Sequence, residues 1–205
     1  CEYVVMEVSS QGIANHRIDT LRFDYAVFTN LTQDHLDFHK TMENYALAKQ
    51  QLFRMLKPGG KAIVNYDDSY KQYFLLNGND TVTFGFTGGD FKMTMDATDK
   101  CHTDFTVRCP DYTRHFTTNL IGRYNIYNLM TSVIVLTLEG VAPSDIAECA
   151  TSLALPKGRT ETVFYGNNLI VVDYAHTPDA MEKVFSADLN GSSFVKSMGV
   201  TLLVA

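Results

Sequence analysis

The chain has 205 residues, enough for one large domain or for one domain and part of another. Its hydrophobic content of 45% is typical of a globular protein with a packed core. The formal charge of −6, without any Lys/Arg-rich stripe, argues against a nucleic-acid partner. No apolar run reaches the roughly 18 residues that a membrane span needs, so we expect no membrane insertion.

The N-terminal sequence contains no positively charged leader followed by an apolar stretch, so we expect a cytoplasmic protein. The chain opens inside a strand-like run, which indicates a fragment whose true N-terminus lies upstream. Its four cysteines form no C-x-x-C pair, which argues against a zinc knuckle. Four free thiols are expected, and a Cys101–Cys109 disulfide across paired strands is the alternative.

Short, β-branched apolar runs in the first half predict covered parallel strands with helices between them. The predicted strands are residues 2–8, 23–30, 61–68 and 81–86. A short helix is predicted between the first two strands. A second helix begins after Thr41, which can cap it, and ends at the PGG of 58–60. A third is predicted near 69–76.

The second half begins differently, because residues 90–120 alternate polar and apolar side chains with Asp and Thr between them. This pattern predicts antiparallel hairpins with one solvent-facing side. A long helix ending at Gly140 follows, then a helix with Pro143 near its start. Two paired strands, a helix starting near Pro178 and a last strand in GVTLLVA complete the chain. The alternation predicts an α/β fold with a mostly parallel sheet flanked by helices and a small antiparallel section.

Polar side chains crowd the end of the second predicted strand, in VFTNLTQDHLDFH (27–39). Open α/β sheets place their sites at the carboxyl ends of parallel strands. Glu7 ends the first predicted strand, so we expect Glu7 and His35 side by side, where a carboxylate and an imidazole can hold a divalent cation. The alternative is that Glu7 caps a helix and His35 lies on the surface.

Lys49 lies on the helix predicted to begin after Thr41, one turn from Tyr45 and on the same, more apolar face. Burial there would make the lysine lose its proton more easily and act as a nucleophile. The alternative is a surface lysine whose aliphatic stem lies along apolar groups.

Two later segments carry polar side chains suited to a nucleotide. Asn125 and Asn128, three residues apart near a helix start, can read a base edge or serve as first-turn caps. Asp173 and His176 follow a strand where a helix begins, a place that attracts phosphate and where a carboxylate can accept a ribose hydroxyl. Ordinary N-capping of this helix by Thr177 is the alternative.

Five segments carry a family resemblance and lie in family order along almost the whole chain. They are MEVSSQGIANHR (6–17), FTNLTQDHLDFHKTMENYALAKQQLF (28–53), GRYNIYN (122–128), GRTE (158–161) and VVDYAHTPDAMEKV (171–184). With these segments the chain resembles the Mur ligase family. The resemblance implies a central, P-loop-NTPase-like ATP-binding domain over 1–156, and the beginning of a truncated, Rossmann-like C-terminal domain over 157–205.

The resemblance implies two Mg²⁺ ions as cofactors, with Glu7 and His35 as ligands. It identifies Lys49 as the lysine that the family carboxylates with CO₂, giving a carbamate anion that helps to hold the second ion. Lys49, His35 and Arg159 would therefore be the catalytic residues.

The other implied roles concern substrate and nucleotide. The residues implied to contact the UDP-muramoyl substrate are Ser9, Asn15 and Arg17, although many relatives have Gln in place of Asn15. Those implied to contact ATP are Asn125 and Asn128 at adenine, Arg159 at the phosphates, Asp173 at the ribose and His176 near the nucleotide.

The implied activity is an ATP-dependent ligation that adds the third amino acid to UDP-N-acetylmuramoyl-L-alanyl-D-glutamate in peptidoglycan synthesis. The enzyme is expected to work as a monomer on a UDP-muramoyl-peptide and an amino acid. The substrate carboxylate would attack the γ-phosphate to form an acyl phosphate, which the incoming amine then displaces. A folylpolyglutamate synthetase-like ligase and a non-catalytic nucleotide-binding module are the alternatives.

Two parts of the family pattern do not occur in this sequence. The phosphate loop G-x-x-G-K-[ST] is absent; in relatives it lies upstream of the strand with which this chain begins. The C-terminal part that selects the amino acid, with its Asp-Asn-Pro-Arg type motif, is absent as well. We therefore expect this chain alone to be catalytically inactive.

Overall fold

The structure, a computed structural model, describes residues 2–98, 102–159, 161–165, 168–175, 177, 180–182 and 202–204. The chain forms two compact units, Cys1–Phe84 and Gly85–Ala205. This division differs from the boundary expected at 156/157, which stays a prediction. No helix in the described part is long and apolar enough to cross a membrane.

The first unit is built on three neighbouring parallel strands in the order β1-β2-β3. They are β1 (Phe23–Phe28), β2 (Leu56–Asn65) and β3 (Asp80–Gly85). Ala62, Ile63 and Val64, successive residues of β2, are all fully buried. Because successive side chains point to opposite faces, both faces of β2 are covered, as expected for a parallel strand. The three predicted strands are confirmed.

The strand predicted over 2–8 is wrong, because these residues form no strand in the structure. Val4 and Val5 are 78% and 99% exposed. β-Branched residues stabilise a strand by packing against neighbours, and at these positions they are not packed. The segment therefore has the composition of a strand but does not pair with a neighbouring strand, which a strand requires.

The first unit also contains three helices: α1 (Ser10–Ala14), α2 (Leu36–His39) and α3 (Met42–Gln50). The Thr41 hydroxyl caps α3 by accepting from the Asn44 N–H at 3.1 Å, as predicted. The 3₁₀ turn Gln51–Met55 extends α3 directly to β2.

The prediction that the PGG of 58–60 ends the helix is wrong, because these residues lie inside β2. Phe23 pairs with Leu56 but Tyr25 pairs with Lys61, so the intervening residues of β2 bulge. Gly59 supplies the left-handed conformation (φ 81°) that this bulge requires. The helix predicted near 69–76 is reduced to a 3₁₀ turn, Lys71–Tyr73.

Aromatic side chains fill the core of the first unit. The Phe28 and Phe74 rings stack with centroids 3.7 Å apart, and the Phe53 ring lies 5.2 Å from that of Phe74. All three are essentially buried. This cluster fixes the end of β1, after which the polar segment begins.

The second unit opens with the antiparallel strands β4 (Phe91–Thr98), β5 (Thr103–Arg108) and β6 (Thr113–Thr118). This three-stranded meander confirms the predicted hairpins. Helices α4 (Arg123–Leu138) and α5 (Pro143–Thr151) follow, and α5 packs against β6. With the parallel strands of the first unit, the meander confirms the α/β class with an antiparallel section.

The second unit ends in a three-stranded sheet. β7 (Glu161–Tyr165) pairs antiparallel with β8 (Asn168–Asp173), and β9 (Leu202–Val204) pairs parallel with β8. The predicted strand pair and the last strand are thereby confirmed. Residues 180–182 are helical, whereas Pro178, the predicted helix start, lies outside the described residues.

Candidate active site

The buried Tyr45 ring is the centre of the polar cluster that follows β1. The His35 ring meets it edge-on at a centroid distance of 6.0 Å, and the His39 ring stacks on it at 5.0 Å. The Lys49 ammonium lies 5.2 Å from its centroid. Helices α2 and α3 thus bring two imidazoles and an amine to one aromatic ring.

Hydrogen bonds to the end of β2 hold the segment that leads into this cluster. The Asn65 amide donates to the Thr29 carbonyl at 2.7 Å, and the Leu31 N–H donates to the Asp68 carboxylate at 3.0 Å. The same carboxylate accepts from the Tyr70 N–H at 2.8 Å. The ends of β1 and β2 are therefore joined by polar contacts, at the edge of the sheet where sites of this fold class form.

His35 has an unusual backbone for a non-glycine residue, with φ 53° and ψ 24°. Its N–H donates to the Asp34 carboxylate at 2.8 Å, and its ring Nε2 lies 3.6 Å from the other carboxylate oxygen. His35 is half-buried rather than fully on the surface. A constrained residue of this kind is common at functional sites.

Burial lowers the pKa of Lys49, and the Glu7 and Asp34 carboxylates oppose that shift. Because desolvation outweighs the two carboxylates, the amine loses its proton more easily than an exposed lysine does. The expectation of a partly buried Lys49 is confirmed. Both carboxylates lie near enough to act on the amine.

Glu7 does not cap a helix, so that alternative is wrong. The Ser9 hydroxyl caps α1 instead, accepting from the Gly12 N–H at 3.0 Å. The Glu7 side chain is exposed, on the segment that leads into α1. It remains available to a ligand.

His39 and Ser10 belong to the cluster, and our sequence reasoning missed both. The His39 Nε2 and Ser10 Oγ atoms are hydrogen-bonded at 2.8 Å, and both residues are buried. Burial, followed by the nearby His35 and Lys49, lowers the pKa of His39 against the effect of Asp37. The only sequence signal was the spacing of four residues between the two histidines.

The described part of the chain holds no group of three His, Cys, Asp or Glu side chains arranged for a metal. The predicted ligand set contains only two such residues, Glu7 and His35, and relies on Lys49 for the third. The structure brings His35 and Lys49 to the Tyr45 ring, and the Glu7 carboxylate acts on Lys49. The three share one neighbourhood.

The three candidate substrate contacts lie on α1 and its exit. Ser9 caps the helix, Asn15 ends it, and Arg17 follows with its N–H donating to the Gly12 carbonyl at 3.0 Å. All three side chains are exposed. Their assignment to a substrate stays a prediction.

In the second unit, the two asparagines of α4 differ in environment. The buried Asn125 amide donates to the Ile121 carbonyl at 2.7 Å, which fixes the chain entering the helix. Asn128 is exposed. The α4 N-cap is Gly122, without a side-chain cap, so capping of the helix start by the asparagines is not the arrangement found.

Two contacts are described at and after the end of β8. The Arg159 guanidinium lies 5.1 Å from the centroid of the Tyr174 ring, and Tyr174 directly follows the buried Asp173 in the sequence. The Thr177 hydroxyl accepts from the backbone N–H three residues later, so the N-capping given as the alternative is present, and a nucleotide role for this segment stays a prediction. His176 lies outside the described residues. The Arg159 guanidinium thus lies beside the end of β8, and a helix start follows along the chain.

Parallel strands with ligand-type side chains at their carboxyl ends, followed by an antiparallel meander, define an α/β protein of the class that builds its site at a sheet edge. The Mur ligase middle domain family matches residues 1–136. The chain belongs to the Mur ligase family.

Named relatives give the same family. The chain is 40% identical over 191 residues to the UDP-N-acetylmuramoyl-L-alanyl-D-glutamate–2,6-diaminopimelate ligase 1 of Clostridium acetobutylicum, covering 91% of this chain and 39% of the relative. It is 36% identical to the corresponding ligase of Fusobacterium nucleatum, covering 97% of this chain and 42% of that one. The chain therefore spans about two fifths of the length of these relatives.

A solved structure supports the fold. A structure described as a UDP-N-acetylmuramoyl-L-alanyl-D-glutamate–2,6-diaminopimelate ligase matches with a TM-score of 0.74 at 28% identity. The match covers 89% of this chain and 39% of that one.

Proposed function

We propose that this chain is the central part of an ATP-dependent ligase that adds the third amino acid to UDP-N-acetylmuramoyl-L-alanyl-D-glutamate in peptidoglycan synthesis. The observation that carries the proposal is the partly buried Lys49, which has a lowered pKa, lies beside the Tyr45 ring and is near enough to two carboxylates to feel their charge. The names of the relatives at 36% and 40% identity favour 2,6-diaminopimelate as the added amino acid. The enzyme would work in the cytoplasm as a monomer.

Lys49 fits the role of a carboxylated lysine. Carbamate formation needs a neutral amine, and burial makes this amine easier to deprotonate. The reaction forms a bond between Nζ and the carbon of CO₂ and releases one proton. Starting from the ammonium form, a second proton is released, and a cation is replaced by an anion next to Glu7 and Asp34. Three negative groups so close together require a cation.

Magnesium fits the oxygens of Glu7 and of the carbamate, since it prefers oxygen ligands and is often bound by few protein groups; the His35 imidazole would be the one nitrogen donor in the set. Glu7, His35 and the carbamate of Lys49 would hold the two ions. When bound, Mg²⁺ neutralises the charge that accumulates between a carboxylate and a triphosphate.

The chain's other polar groups would bind and orient the two large substrates. Ser9, Asn15 and Arg17 would contact the UDP-muramoyl substrate. ATP would be held by Asn128 and Asn125 at the base, Asp173 at the ribose, Arg159 at the phosphates and His176 near the nucleotide. Because one amide hydrogen of Asn125 is already donated to Ile121, Asn128 is the better placed of the pair to read the base.

The ligation would proceed in two steps, formation of an acyl phosphate and then of the amide bond. A substrate carboxylate oxygen bonds to the γ-phosphorus of ATP and ADP leaves, giving an acyl phosphate. The amine of the incoming amino acid adds to the acyl carbon, and the tetrahedral intermediate expels phosphate and loses a proton. Arg159 would stabilise the transferring phosphoryl group, and positioning would supply much of the remaining rate.

The experiment that tests this function uses the full-length gene product that contains the chain. Lys49→Ala should reduce the rate of ATP-dependent ligation of UDP-muramoyl-dipeptide by about a hundredfold or more. The matched control is Lys57→Ala, since Lys57 is an exposed lysine paired with Asp24 at 2.8 Å. Normal turnover of Lys49→Ala would refute the role of Lys49. No ligation by the wild type would favour a non-catalytic nucleotide-binding module, and activity on tetrahydrofolate instead would favour a folylpolyglutamate synthetase.

Carboxylation itself can be measured without turnover. The 205-residue chain is incubated with ¹³C-labelled bicarbonate and Mg²⁺, and the carbamate carbon is detected by NMR. We expect a signal that Lys49→Ala removes and Lys57→Ala retains. A signal unchanged in Lys49→Ala would contradict the assignment.

We also propose that the 205-residue chain alone does not catalyse ligation, because its sequence contains no phosphate loop. Formation of ADP and phosphate that depends on both substrates should be seen with the full-length protein and not with the chain. A measurable rate from the isolated chain would refute this.

A further inference from the structure

The solvent-facing side of the β4–β6 meander carries two cations opposite each other. Lys92 on β4 is the register partner of Arg108 on β5, and Arg108 is the partner of Thr113 on β6. All three side chains are exposed. Residues directly opposite in an antiparallel pair share a face, and like charges in that arrangement are destabilising.

The acids on the same face do not neutralise these cations, because they bind other partners. Asp96 accepts from the Thr106 hydroxyl at 2.7 Å and lies 3.2 Å from the His115 ring nitrogen. Asp104 accepts from the Thr117 hydroxyl at 2.7 Å. Within the described part of the chain, neither cation of the facing pair has a hydrogen bond or an ion pair from its side chain.

The two cations line an open cleft of about 570 Å³ at the β5–β6 turn. This volume is within the range of small-molecule sites. Two acids, Asp90 and Asp111, also line the cleft, but within the described part of the chain neither forms a hydrogen bond or an ion pair with Lys92 or Arg108. The cleft therefore has a cationic end, formed by the facing pair.

We propose that Lys92 and Arg108 form a binding site for the phosphate group of a small molecule, separate from the proposed ligase site. A guanidinium fork and an ammonium are the donors best suited to phosphate oxygens. Thr113, next in the same row, adds a hydroxyl donor. A bound dianion would also remove the repulsion between the facing cations and so stabilise this register of β4 and β5.

The test is an NMR titration of the 205-residue chain with inorganic phosphate and, separately, with methyl phosphate at constant ionic strength. We expect saturable shifts of the Lys92, Arg108 and Thr113 amide signals. Tighter binding of methyl phosphate would identify a phosphorylated metabolite as the ligand, and tighter binding of inorganic phosphate would identify the free ion.

Charge-removing variants locate the site. Lys92→Gln and Arg108→Gln should each weaken binding by about tenfold or more, since each removes charge-assisted hydrogen bonds. The matched control Arg114→Gln removes the same charge from an exposed residue of β6 whose register partner is Val107, and it should bind as the wild type does.

Three results would overturn the proposal. They are no saturable shift in the wild type up to about 10 mM phosphate, equal weakening in the Arg114→Gln control, and shifts confined to the Arg159 region. Thermal unfolding of each variant confirms folding, and neither cation substitution should lower the melting temperature because each relieves a repulsion.

Discussion

Removal of the His39 ring should destabilise the first unit, because this ring joins α1 to α3. One edge of the imidazole is hydrogen-bonded to the Ser10 hydroxyl at 2.8 Å, and its face stacks on Tyr45 at 5.0 Å with an interplanar angle of 17°. His39 is 7% exposed and Ser10 is 1% exposed. The His39→Ala variant therefore loses two buried contacts at once.

The expected cost follows from these two contacts. A buried hydroxyl left without its partner costs about 1–3 kcal/mol, and loss of an aromatic pair costs about 0.5–1.5 kcal/mol. We therefore expect His39→Ala to lower the free energy of unfolding by about 1.5–4.5 kcal/mol. Ser10→Ala, which leaves the ring nitrogen unpaired instead, should cost about 1–3 kcal/mol.

Urea unfolding of the two single variants and the double variant measures these costs. Because the residues share one hydrogen bond, the double variant should be more stable than the sum of the single costs predicts, by about 1 kcal/mol. The control is His16→Ala, which removes an exposed histidine and its ion pair with Asp19 and should cost less than about 1 kcal/mol. A cost of His39→Ala no larger than that of His16→Ala, or strictly additive costs, would refute the reasoning.

Three further predictions concern the same unit. Burial lowers the folded-state pKa of His39 below the unfolded value of about 6.5. The stability that depends on neutral His39 is therefore present above that pH and is lost as the pH falls below it. Between pH 7.5 and 5, the free energy of unfolding measured in urea should decline less in His39→Gln than in the wild type. Phe74→Ala should lower the free energy of unfolding by about 3–5 kcal/mol, because its ring is fully buried against Phe28; equal urea midpoints for variant and wild type would contradict this. Asp68→Ala leaves the Leu31 N–H without its acceptor and should cost about 1–3 kcal/mol, with faster hydrogen exchange at that amide as the specific readout.

Local signals predicted much of the first unit correctly. The start of α3 was predictable because its cap is a contact over three residues, from Thr41 to Asn44. β2 was predictable because a strand covered on both faces needs a continuous apolar run. VFTNLTQDHLDFH marked the sheet edge because polar residues follow the apolar end of β1 abruptly. Each of these signals lies within a few residues of the structure that it specifies.

The errors arose where structure depends on distant partners. The Ser10–His39 hydrogen bond joins residues 29 apart, so no local pattern contains it. Residues 2–8 have the composition of a strand, but composition does not provide a neighbouring strand. The PGG at 58–60 has the sequence of a helix stop, yet pairing with β1 places it inside β2 as a bulge.

The contacts that build the Tyr45 cluster all lie within the first unit. The Leu31–Asp68 bond fixes the segment after β1, and the Ser10–His39 bond fixes α1 against it. Neither contact involves a residue proposed to bind ATP. The environment that lowers the pKa of Lys49 is therefore formed without a nucleotide, and carboxylation should not require one. For this reason we expect the carbamate signal in the isolated chain even though ligation is absent from it.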